Sequence, residues 1–94
     1  MLLILYARIV DNKKKGLVME GPFYGPECET MAIAHEKCRE LVTPSKDHIL
    51  VKVYDLDEID YQGARELALT HFKRTFEFME SAQSLCDRPN RKRS

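Results

Sequence analysis

Cys28, His35 and Cys38 are the first residues in the chain whose types suggest chemistry. Thiolates and imidazoles are the ligands of zinc, and His35 and Cys38, three apart on a helix, would be neighbours. A structural zinc site needs four such ligands, commonly in two closely spaced pairs. Here the fourth would have to come from Cys86 or a distant histidine, and Cys38 falls in the middle of an apolar helix face. The pattern fits buried cysteines, so neither a metal nor a cofactor is expected. The three cysteines have no framework spacing, and no signal-peptide pattern precedes them. Free thiols in a reducing, cytoplasmic setting follow.

Other polar sets are equally unspecific. Asp55, Asp57, Glu58 and Asp60 form an acidic run, but Ile59 stands where a calcium loop needs a ligand and no glycine follows it. Capping and a solvated turn account for the run. GPFYGP, residues 21–26, sits between a strand and a helix but lacks the Gly-Lys-Ser/Thr of a phosphate loop. His71 lies inside an apolar helix arc, where a lone histidine is usually a hydrogen-bonded core or interface group. With Tyr54, Tyr61 and Asp57 it would form an acid–base set if all of them met. The corresponding small-molecule pocket would be walled by Phe23, Tyr24, Tyr54 and His71. Lys13, Lys14 and Lys15 make one basic patch, and Arg88, Arg91, Lys92 and Arg93 make another. If the two converged they would grip a phosphate backbone. No RNA-binding aromatic signature or helix-turn-helix pattern accompanies them, so nucleic acid is not an expected partner. No catalytic constellation names a reaction, and the reading leans away from an enzyme.

The elements that would carry these residues read more clearly. Leu2–Val10, LLILYARIV, is apolar on both alternating sets, with Arg8 its one charge. That is the pattern of a central strand covered on both faces. Residues 11–16, DNKKKG, predict a hairpin connection of about four to six residues. Leu17–Glu20 predicts a short second strand ending at Gly21-Pro22, because proline cannot donate to a ladder. Pro26 suits the first position of a helix with Glu27 and Glu29 in its first turn. Met31, Ala34, Cys38, Leu41 and Val42 share an arc of about 100° on that helix, which stops before Thr43-Pro44. His48–Leu56 alternates as a third strand. Asp57 is the expected cap of a last helix from Glu58 to Leu85.

Ninety-four residues suffice for one self-supporting domain burying roughly two-thirds of its unfolded surface. Residues 1–87 are the expected α+β domain, with 88–94 a basic, disordered tail. Four of the 15 basic residues lie in that tail, leaving 11 basic against 15 acidic in the body. Such a body does not attract nucleic acid over its whole surface. The apolar segments are too short to span a bilayer, so no membrane partner is expected. The order is β-β-α-β-α. A right-handed crossover between the second and third strands gives a three-stranded mixed sheet, order 2-1-3, with the first strand in the middle.

The most informative surplus is on the last helix. Its apolar residues cover an arc of about 200°, twice what packing on one surface requires. Ala64, Ala68, His71, Met79 and Ala82 fill the arc; Leu67, Phe78 and Leu85 mark one margin, and Leu69, Phe72 and Phe76 the other. Either this helix is wrapped on two sides or it meets a partner, and a symmetric homodimer is the commonest solution. The sequence therefore predicts a protein that works by association with itself or another protein. Leu69, Phe72, Phe76 and Met79 would carry the contact.

Overall fold

The computed structural model describes residues 1–87, with side chains through Ala82. The expected basic tail, with Arg91, Lys92 and Arg93, lies outside the described residues. Five elements follow in order: β1 (Leu2–Asn12), β2 (Gly16–Cys28), α1 (Met31–Val42), β3 (His48–Asp55) and α2 (Tyr61–Asp87). The strands form one sheet in the order β2-β1-β3. Both ladders are antiparallel. β2 and β3 run the same way but never pair, so the sheet is antiparallel rather than mixed.

β1 is buried as its composition demands. Leu3, Ile4, Leu5, Ala7 and Ile9 are at most 3% exposed. The two helices divide its faces. α1 sets Ala34, Cys38 and Leu41 against Leu2, Ile4, Cys28, Val51 and Val53. α2 crosses to the opposite face and packs Ala64, Ala68 and Phe72 on Leu3, Leu5 and Ala7, with Met19, Leu50 and Tyr54 around them.

The hairpin between β1 and β2 is tighter than expected. Only Lys13, Lys14 and Lys15 lie between the strands. The Asn12 side chain accepts from the backbone N–H of Lys14 and of Lys15, at 2.9 and 3.2 Å. Gly16, at φ 85°, then occupies the left-handed position that closes a three-residue hairpin.

β2 is the main correction to the sequence reading. Residues 21–26 are strand, not loop, and β2 continues to Cys28. The register explains how two prolines fit. Leu3 pairs with Glu27 but Leu5 with Tyr24; Tyr6 pairs with Phe23 but Arg8 with Glu20. Each step inserts one extra residue in β2, and a Gly-Pro pair sits at each insertion. These are β-bulges on an edge strand, where a missing N–H breaks no ladder bond. Gly21, at φ 115°, has the backbone that side chains avoid, and an added Cβ would lie 3.1 Å from the Tyr6 carbonyl oxygen.

The helix starts also shift. α1 begins at Met31, capped by Thr30, whose Oγ1 accepts from the Ile33 N–H at 3.2 Å. Pro26, Glu27 and Glu29 precede it and are not in its first turn. Asp60, not Asp57, caps α2: its carboxylate accepts from the Gly63 N–H at 2.7 Å. Asp57 belongs to a turn in which its N–H donates to the Asp55 carboxylate at 2.9 Å.

Two outcomes follow for stability. Phe72→Ala should cost about 3–5 kcal/mol in urea unfolding, whereas Phe78→Ala, at a residue 74% exposed, should stay within about 0.5 kcal/mol of wild type. Equal costs would contradict the placement of α2. Gly21→Ala should cost about 1–3 kcal/mol, and an unchanged melting curve would contradict the bulge geometry.

Candidate functional site

The aromatic and histidine residues expected to wall a pocket are not brought together. The two bulges fix where each aromatic points. Phe23 pairs across with Tyr6 on the α1 face, ring centroids 5.3 Å apart. Tyr24, next in sequence, points to the α2 face and meets Tyr61 edge-on at 6.0 Å. Tyr54 is half-buried beneath α2, and burial raises its phenol above the usual range. His71 is exposed on α2 rather than inside its buried face. Among the described residues, no hydrogen bond or ion pair joins His71, Tyr54, Tyr61 and Asp57: Tyr61 bonds Glu27 and Asp57 pairs with the N-terminus.

Cys28 and Cys38 pack as core groups; the Cys86 side chain lies outside the described ones. Cys28 is 3% exposed and Cys38 lies half-buried on the same cluster. Burial, and secondarily Cys28, pushes the Cys38 thiol up. Among the described residues, no three histidine, cysteine or acidic side chains gather as a metal site. Lys13, Lys14 and Lys15 are exposed at the hairpin tip, far along the strands from the start of α2. No helix among the described residues is long and apolar enough to cross a membrane.

What the structure does assemble is a surface on α2. Along its buried line, Ala64, Ala68 and Phe72 are fully enclosed. Phe72 is thus core, which corrects its expected place in an interface. Leu69, Phe76 and Met79 are half-buried. Phe76, with Lys73, overhangs Leu17, Val18 and Met19 of β2 across a cleft of about 380 Å³. Met79 and Ala82 face Ile9, Leu17 and His48 across a second, of about 430 Å³. That margin of the helix is partly covered by the hairpin.

The other margin is not. Leu67 is 52% and Phe78 74% exposed. At 100° per residue, Leu67, Thr70, His71, Arg74 and Phe78 share one side of the helix. All five are exposed, and none is an acid. Leu67 also lines a cleft of about 490 Å³ with Val53 and Tyr54 of β3 and Met31 of α1. The stripe therefore runs on the β3 side of the sheet. β3 pairs with β1 alone, and among the described residues nothing pairs with its outer edge. Among the described residues, a strand edge with free backbone groups lies alongside a helix stripe that carries an exposed leucine and phenylalanine.

The sequence placed Leu67 and Phe78 at the margin of the arc but favoured the opposite margin. The distinguishing signal was charge. Lys73, Glu77 and Glu80 crowd Phe76, as solvated residues over a covered edge, whereas no acid lies between Leu67 and Phe78 on their own side.

The start of α2 is tied to the end of β2 by a hydrogen bond from the Tyr61 hydroxyl to the Glu27 carboxylate. On the α1 face, Arg8 donates through Nε and Nη2 to Glu20 at 3.0 and 2.7 Å. That bond raises the Arg8 pKa further. Comparison with known protein families, with curated proteins and with solved structures finds no match.

The bond to Glu27 raises the Tyr61 pKa, since it holds the phenol proton in place. Its contribution to stability is complete below the ordinary tyrosine value of about 10 and is lost as pH rises through the higher folded value. In an alkaline absorbance titration, Glu27→Gln should make Tyr61 ionise at lower pH than in wild type. An unchanged titration would remove Glu27 as the cause.

Proposed function

We propose that the chain works by association, with the exposed side of α2 as its docking surface. The observation that carries this is the placement of Leu67 and Phe78, 52% and 74% exposed, on one side of a helix whose core line is already satisfied. Burying a side chain of this size is worth roughly 1.5–3 kcal/mol, so two on one stripe supply the apolar anchors of an interface. Leu69, Phe76 and Met79, facing the hairpin, play the smaller part. The scatter of Phe23, Tyr24, Tyr54 and His71 favours this reading over a small-molecule pocket.

The test is a photo-crosslinking amino acid placed at position 78 and, in a second protein, at Glu40 on the exposed side of α1. In the native cell the first should give a discrete protein adduct that the second does not. Equal or absent adducts at both positions would overturn the reading.

A further inference from the structure

We propose that the partner of the α2 stripe is a second copy of this chain, joined edge to edge through β3 into one six-stranded antiparallel sheet. The inference rests on reading that stripe as a docking surface.

The two edges of the sheet are treated differently. β2 carries two prolines and two bulges, devices that discourage a further strand. β3, HILVKVYD, has no proline or glycine, and its eight pairs with β1 run without a register shift. Lys52 is its one exposed basic side chain within the strand's middle. A straight, unpaired row of N–H and C=O groups is a template for another strand.

Symmetry then connects the edge with the helix. When two identical strands pair antiparallel at their edges, the two-fold axis stands perpendicular to the sheet through the middle of the strand. Each face is preserved, so both α2 helices lie on the same side and run antiparallel. The middle of β3 is Val51 and Lys52, which are level with Tyr6 and Leu5 of β1. Leu67 borders Tyr54, level with Leu3, and Met79 borders His48, level with Ile9, so the axis passes α2 midway between them, near Phe72. Leu67 and Phe78 lie on either side of that level, each about 8 Å along the helix. The same rotation that pairs the strands brings Leu67 level with the partner's Phe78, on sides of the two helices that face each other, twice.

The strand ends are complementary in charge. Antiparallel pairing lays Asp55, Asp57 and Glu58 near Lys46 and His48 of the other copy. Asp47, the acid in that segment, is half-buried in the turn before β3. An unrelated strand would satisfy the edge and leave Leu67 and Phe78 in water; a second copy covers both with one operation.

The experiment pairs light scattering over a wide dilution range with amide hydrogen exchange read residue by residue. Wild type should be a dimer that dissociates on dilution. Alternate amides of residues 48–55, those directed away from β1, should be protected only where the dimer is populated. Phe78→Asp, at an exposed site, should keep the circular dichroism spectrum and weaken dimerisation at least about tenfold. A monomer at every concentration would overturn the inference while leaving the crosslink at position 78 to report a different protein. A dimer whose β3 amides stay unprotected would overturn the edge geometry. If position 78 gives no adduct at all, the association reading falls with it.

Discussion

The structure depends on hiding the apolar centre of β1. Its side chains are apolar on both faces, and its peptide groups cannot be buried without partners. Four coverings are therefore required at once: a strand on each side for the backbone and a helix over each face for the side chains. A β-β-α-β-α chain supplies exactly one element for each requirement. The hairpin gives one flanking strand, and the crossover returns through α1 to give the other. The last helix has only the opposite face left to cover. The topology is less a choice among folds than the shortest route to enclosing Leu3, Ile4, Leu5, Ala7 and Ile9.

That enclosure leaves the flanks unequal. On the β2 side the sheet ends in a strand that is kinked twice and overhung by Phe76 and Met79. On the β3 side it ends in a regular strand with a helix margin that nothing among the described residues covers. The contrast between flanks, more than any single exposed residue, makes the two sides of the molecule unlike.

Much of this was legible in the sequence, and the failures have particular causes. The strand order, the crossover and the central place of Leu2–Val10 followed from a two-faced apolar pattern and from handedness. The misreading of residues 21–26 came from treating each Gly-Pro pair as a terminator. Proline ends a strand only where its absent N–H would have met a neighbour; on an edge, at a bulge, it does not. The late start of α1 followed from the same error, since Thr30 could cap a helix only once Pro26 had been left in the strand. On α2, angular position alone could not rank the two margins of a wide arc. Which of them the sheet covers depends on where the hairpin lies in three dimensions. His71 illustrates this: it sits inside the arc on a wheel and outside the contact in space.

The two bulges have a further consequence for how this strand can vary. Each extra residue reverses which face the following side chains present, so the pair acts like two phase shifts that cancel. Between them lie Phe23 and Tyr24, directed to opposite faces; beyond the second, Glu27 and Cys28 return to the alternation that Leu17 and Val18 began. Removing the extra residue from either bulge would straighten β2 there and leave Phe23, Tyr24, Glu27 and Cys28 opposite their present partners. The bulges are where β2 holds its spare length.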